Sequence, residues 1–307
     1  MTARRLRQIF YCFEKFCEVV QMQSGVKDIL VVLDSYPKPS NKRMIDSAVK
    51  VAKHLNSHLS ALSFEVAFKI KTSSILHKFG LDNPVLQLVA REREVSRSNA
   101  TALLHAVEVA AKDANVPFST MLCEEPQYEV SSATIAQARC RDFTIISTEG
   151  DEEIANPTAE AVLFESGRPI LIPPASLSDD NLINFETMAI AWDASRAATR
   201  AVFDALPLLK HAKQVRVLTI RNDKPLLSDD RYGLKSYLSR YGVNPIIEDV
   251  DAKGRNAADV LQSYVRENGV GLLIMGGYGH SRAREFVLGG ATKSVFGQPF
   301  QWTFLSH

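Results

Sequence analysis

The residues best suited to chemistry lie in one glycine-rich stretch. It runs Met275-Gly276-Gly277-Tyr278-Gly279-His280-Ser281-Arg282-Ala283-Arg284-Glu285-Phe286-Val287-Leu288-Gly289-Gly290-Ala291-Thr292. The spacing is Gly-x2-Gly-x9-Gly-Gly, between an apolar run and a segment with helical character. Glycines reach positive φ and let a ligand approach the backbone. Successive backbone N–H groups form a nest for an anion. A helix that starts after the second glycine pair adds unpaired N–H groups that favour phosphate. The chemistry this points to is phosphate binding. Catalysis has less support. His280 and Ser281 are adjacent, but no third partner is visible and adjacency makes no triad. There is no Walker lysine pattern and no clear acid–base pair to aim at a leaving phosphate. Lys293, in the first turn of the last helix, opposes the helix dipole. It is either a surface lysine or one whose charge a phosphate offsets.

Such a loop needs a strand to launch it and a sheet to hold that strand. The sequence supplies these twice. Ile29-Leu30-Val31-Val32-Leu33-Asp34 is an apolar run ending in an acid, and Met188-Ala189-Ile190-Ala191-Trp192-Asp193 repeats the pattern. Continuous apolar runs of this length are buried strands of a parallel sheet. An amphipathic helix follows each, with Ile45, Ala48, Ala52 and Leu55 in the first half and Ala198, Val202, Ala205 and Leu209 in the second. Second strands are predicted at Leu59–Phe64 and Val215–Ile220, third strands at Phe118–Cys123 and Pro245–Val250, and fourth strands at Phe143–Ser147 and Leu272–Met275. Final strands fall at Ile170–Ile172 and Trp302–Leu305. Helices are predicted near Val95–Asn115 and Arg231–Tyr241. The expected fold class is α/β: two consecutive doubly wound, five-stranded parallel-sheet domains. Ligands of such sheets bind beyond the carboxyl ends of the strands, where strand order reverses. Asp34 and Asp193 stand at that edge.

The domains are placed at 26–176 and 184–307, joined through Pro173–Asn184, a stretch of Pro-Pro, Ser and Asp-Asp. Residues 1–25 stand apart. Arg4, Arg5 and Arg7 precede an amphipathic run, Leu6, Ile9, Phe10, Phe13, Cys17 and Val20. Three readings stay open for it: a helix docked on the body, a start that belongs at Met22, or a membrane-surface or partner helix. Glu14 and Glu18 break any signal-peptide core.

The chain has 307 residues, room for about two domains of roughly 100–200 residues. Its formal net charge is +1, from 36 basic and 35 acidic residues, which argues against nucleic acid as a partner. No apolar run is long enough for a membrane span. The four cysteines, Cys12, Cys17, Cys123 and Cys140, form no zinc spacing, and free thiols suit a reduced, cytoplasmic compartment.

The strand, the glycine spacing, the following helix and the strand-end aspartate together resemble the universal stress protein family, in its tandem, two-domain form. The family's signature is Gly-x2-Gly-x9-Gly followed by Ser or Thr, and Ile190-Ala191-Trp192-Asp193-Ala194-Ser195-Arg196 is similar to its first strand and loop. The resemblance covers nearly the whole chain from about residue 26. It implies adenine nucleotide alpha hydrolase-like domains, paired through their final strands as an intramolecular pseudo-dimer. It also implies ATP or AMP in the second half, with Mg2+ accompanying ATP, and a role in stress response with little catalysis. Carried over by residue, Asp193 would contact adenine. Ala191 and Trp192 would line the base pocket, with Ile220 and Met275 nearby. Gly276, Gly279, Gly289, Gly290 and Ala291 would surround ribose and phosphates through their backbones. Gly290 departs from the pattern, since it replaces the hydroxyl residue. A hydrogen bond to a charged group is worth ~1.5–3 kcal/mol, so its loss weakens binding about tenfold or more.

The first half keeps Asp34 but not the loop. There the chain reads Thr148-Glu149-Gly150-Asp151-Glu152-Glu153-Ile154-Ala155-Asn156-Pro157-Thr158. Acids crowd the place where phosphates would lie, so no nucleotide is expected in this half. A solvated acidic loop and a metal site of oxygen ligands both fit Glu149, Asp151, Glu152 and Glu153. Tyr36-Pro37-Lys38-Pro39-Ser40 lengthens the loop after the first strand. The alternatives to a nucleotide-binding regulator are a nucleotide-free interaction module and a weak ATP hydrolase. A homodimer is compatible with the sequence.

Overall fold

The structure, a computed structural model, describes residues 25–68, 82–148, 157–177, 183–221, 231–277, 294 and 296–307. Strand and helix alternate as the sequence predicts. The first half holds β1 (Asp28–Leu33), α1 (Lys42–Leu55), β2 (His58–Ala67), α2 (Asp82–Ala114), β3 (Phe118–Pro126), α3 (Val130–Ala138), β4 (Phe143–Ile145), α4 (Pro157–Glu165) and β5 (Ile170–Ile172). The second holds β6 (Thr187–Ala191), α5 (Arg196–Leu209), β7 (Gln214–Arg221), α6 (Arg231–Arg240), β8 (Ile246–Asp251), α7 (Ala257–Glu267), β9 (Leu272–Gly276) and β10 (Thr303–Ser306). Helix starts are written in the sequence. Asn41, Ser195 and Asn256 each accept a backbone N–H three residues on, capping α1, α5 and α7.

The strands form one ten-stranded sheet in the order β3-β2-β1-β4-β5-β10-β9-β6-β7-β8. Every pairing within a half is parallel, and each half repeats the same doubly wound order. The halves meet at an antiparallel pair, with Thr303 opposite Ile172, Phe304 opposite Leu171 and Leu305 opposite Ile170. The pairing of final strands expected for a pseudo-dimer is therefore present, and it fuses two five-stranded sheets into one. Because β5 and β10 run in opposite directions, the carboxyl ends of the two halves lie at opposite edges of the sheet.

Two cores flank the sheet. Alternate residues of β1, such as Ile29, Val31 and Leu33, join those of α1, α2, α5 and α6 on one face. Leu30 and Val32 face the other way, with α3, α4 and α7. Both cores run through the junction: Phe143 and Phe304, from different halves, meet edge to face at 5.8 Å.

One element exceeds its expectation. The long first-half helix begins at Asp82 rather than near Val95. Its first turns expose Leu86 and Leu88, which blurs the apolar stripe that marks a helix in sequence. Residues 1–24, the acids Glu149, Asp151, Glu152 and Glu153, and the centre of the Pro173–Asn184 connection lie outside the described residues.

Phe304 is 1% exposed at the junction. Phe304→Ala is expected to cost about 3–5 kcal/mol in urea denaturation, because a cavity opens in the core shared by both halves. A second seam lies where His54 of α1 stacks on Phe185 at 4.4 Å and meets His211 at 5.2 Å. Desolvation first, then the charges of His211 and Lys50, lower the His54 pKa from its ordinary value. A histidine with a depressed folded pKa binds its proton more readily when unfolded. Stability is therefore whole above about pH 6.5 and falls as pH drops below it. The loss should be small, below about 1 kcal/mol, because the ring keeps solvent contact. His54→Gln should flatten this part of the pH–stability profile.

Candidate functional site

In the second half strand order reverses between β6 and β9. Successive crossovers carry β7 and β8 to one side and β10 to the other. The two strands are in register through Ile190 and Ile274, and continuing that register brings Trp192 level with Gly276 and Asp193 level with Gly277 at the carboxyl edge. This is the crevice where an open α/β sheet binds small ligands.

Asp193 is exposed and held by the turn that starts α5. Its Oδ1 accepts the Ser195 N–H at 2.9 Å. Ala194 then takes φ 58°, and the Ser195 Oγ caps the helix by accepting the Ala198 N–H at 3.1 Å. Ser195 is thus the helix cap, and no described residue engages the second carboxylate oxygen of Asp193. Asp34 sits in a different turn, closed by Ser40, whose Oγ accepts the Asp34 N–H at 2.9 Å and whose N–H reaches the Asp34 carbonyl at 2.8 Å.

Ala191, Ile220 and Met275 share one face of the sheet, the side of α7. Of the four residues expected near a base, these three share that face. Trp192 is not with them. Neighbours in a strand point to opposite faces. Trp192 is buried in the other core, and its backbone N–H donates to the Leu218 carbonyl at 2.8 Å. Its Nε1 has no partner among the described residues.

Gly276 ends β9 directly under the start of α5. A Cβ there would lie 2.5 Å from both the carbonyl carbon of Ala197 and the nitrogen of Ala198. Gly277 donates its N–H to the Ser306 carbonyl at 2.7 Å and accepts from His307 Nδ1 at 2.9 Å, which ties the loop to β10. Gly279, Gly289, Gly290 and Ala291, with His280, Ser281 and Lys293, lie outside the described residues.

The ends of the second strand in each half carry side chains of opposite charge, a feature that sequence reasoning passed over. In the second half Arg221, at the end of β7, pairs with Asp249 at 2.7 Å, and Arg231 binds the same carboxylate. In the first, the corresponding strand end carries Glu65, paired with Arg93 at 2.5 Å, while Arg93 also reaches Glu124 at 2.7 Å. Strand pairing was needed to align these positions, since neither half announces them by spacing. Among the described residues no His, Cys, Asp or Glu cluster could hold a metal ion.

Gly276→Ala is expected to force the start of α5 away from the sheet and to cost about 1–3 kcal/mol in urea denaturation, as overpacking does.

No protein-family model matches the sequence, and none of the curated proteins matches it. Solved structures do. A universal stress protein from Archaeoglobus fulgidus DSM 4304 superposes with a TM-score of 0.62 at 16% identity, over 90% of this chain and 97% of its own. A protein from Pseudomonas aeruginosa UCBPP-PA14, assigned to the universal stress proteins, gives 0.55 at 14% identity, over 92% and 94%. A functionally unknown protein from Pseudomonas aeruginosa PAO1 gives 0.56 at 13% identity, over 92% and 93%. With a mirrored doubly wound order in each half and superposition over nearly the full chain, the protein has the universal stress protein fold.

Proposed function

We propose that this protein is a nucleotide-responsive stress regulator that holds one adenine nucleotide, ATP or AMP, in the crevice of its second half. The observation that carries the reading is the meeting of Asp193 with the start of the Gly-x2-Gly-x9-Gly-Gly stretch at the β6–β9 reversal. The half-buried apolar patch of Ala191, Ile220 and Met275 suits a flat base. The second carboxylate oxygen of Asp193 suits an adenine amino group. Backbone N–H groups of Gly279, Gly289, Gly290 and Ala291 would meet the phosphates. Gly276 serves by letting β9 come up against α5. Trp192 supports the strand end from behind. Mg2+ would enter with the phosphates of ATP, since the described residues offer it no ligand set. The sequence has no Walker lysine pattern and no clear acid–base pair to aim at a phosphate, and the reading is of binding without turnover.

Gly290, where the family pattern has a hydroxyl, favours a second reading: a scaffold of the same fold that binds protein partners and no nucleotide.

The test is to purify the protein without added nucleotide, denature it and identify released small molecules by mass spectrometry. The expected result is an adenine nucleotide in equimolar amount, lost in both Asp193→Ala and Gly279→Glu. In thermal denaturation, ATP at a hundredfold excess over Kd should then stabilise by ~2.7 kcal/mol. Twice the equimolar amount would place a second nucleotide in the first half and sink the asymmetry. An empty protein that ignores millimolar ATP would leave the scaffold reading.

A further inference from the structure

A cavity of about 370 Å³ opens at the carboxyl edge of the first half, at the opposite sheet edge from Asp193. It reaches the size of small-molecule pockets, roughly 300–1,000 Å³. Three aromatic rings stand in its wall: Tyr36 after β1, Phe68 after β2 and Tyr128 after β3. Tyr36 and Phe68 meet edge to face at 4.9 Å. Leu88 and Val89 of α2 close the apolar side.

The frame of this cavity is pinned by buried hydrogen bonds. Ser35 donates to the Phe64 carbonyl at 2.5 Å and bonds Ser96 Oγ at 2.9 Å, and Asn99 Nδ2 holds the Ser35 carbonyl at 3.0 Å. These bonds fix the loop after β1 against both β2 and α2.

Charge then selects the occupant. Glu92 is the charged side chain among the described lining residues, and no described residue forms a hydrogen bond or ion pair with it. The adjacent guanidinium of Arg93 is turned away to Glu65 and Glu124, and Arg97 leans on Glu65 at 3.8 Å. Aromatic rings beside a carboxylate that no described residue pairs attract cations and repel phosphates. Ring quadrupoles favour an organic ammonium over a hydrated metal ion.

We propose that this cavity binds an organic cation, a quaternary or protonated amine carried on an apolar body. The ammonium sits between the rings and Glu92, and the apolar body lies against Leu88 and Val89. The proposal is independent of nucleotide binding in the second half, because the two sites share no residue.

Three benzyl compounds of similar size test it: benzyltrimethylammonium, neutral benzyl alcohol and anionic phenylacetate, each titrated into the full-length protein by calorimetry. The cation should bind about fivefold or more tighter than the alcohol, and phenylacetate should bind weakest. Glu92→Gln should bring the cation down towards the alcohol. Leu88→Arg, at a side chain 57% exposed and so harmless to folding, should abolish cation binding while circular dichroism stays unchanged. Equal affinities for the three probes, no heat with any of them at millimolar concentration, or unaltered cation binding in both variants would each overturn the proposal.

Discussion

The pairing of β5 with β10 is the constraint on which the rest of the molecule depends. Both are short central strands with every residue buried. Unpaired backbone groups there would cost about 1–3 kcal/mol each, so neither strand can stand as an edge without a partner. Pairing them satisfies both and leaves β3 and β8 as the outer edges, whose residues are mostly half-buried or exposed. The link extends beyond the ladder, for the Ala175 N–H reaches the Pro299 carbonyl at 2.8 Å. Phe143 and Phe304 fill the core beneath it.

The direction of that pair also separates the two crevices. An antiparallel junction sends the carboxyl ends of β1–β5 and β6–β10 to opposite edges, so no ligand can span both. Each edge is then free to hold a different charge. The second-half rim presents Arg221 beside Asp249, whereas the first-half rim buries Glu65 and sets Glu92, which no described residue pairs, beside aromatic rings. One fold repeated thus gives two unlike mouths without altering the sheet that carries them.

Much of this architecture was legible because buried parallel strands are written as continuous apolar runs, Ile29 to Leu33 and Met188 to Ala191 among them. Other features were hidden for definite reasons. The early start of α2 carries exposed Leu86 and Leu88, which break the helical period. The separation of Ala191 from Trp192 was available from strand alternation alone, and the family resemblance obscured it by treating both as one lining. The cavity residues Tyr36, Phe68, Leu88 with Glu92, and Tyr128 come from four separate places in the chain. Only the register of β1, β2 and β3 unites them, so no spacing could have revealed the set.

The structure also redistributes the weight of the glycine motif. Gly276 is required by the contact between β9 and the start of α5, whatever the crevice holds, since any Cβ would strike the backbone of Ala197 and Ala198. Gly277 is fixed by its bonds to β10 in the same way. These two glycines would persist in a protein that had lost its ligand. Gly279 and the pair Gly289–Gly290 lie outside the described residues, so the argument for phosphate rests on their spacing in the sequence, while Asp193 bears on the base. This is why a charge placed at Gly279 discriminates between a nucleotide site and a scaffold, while a methyl placed at Gly276 reports only on the fold.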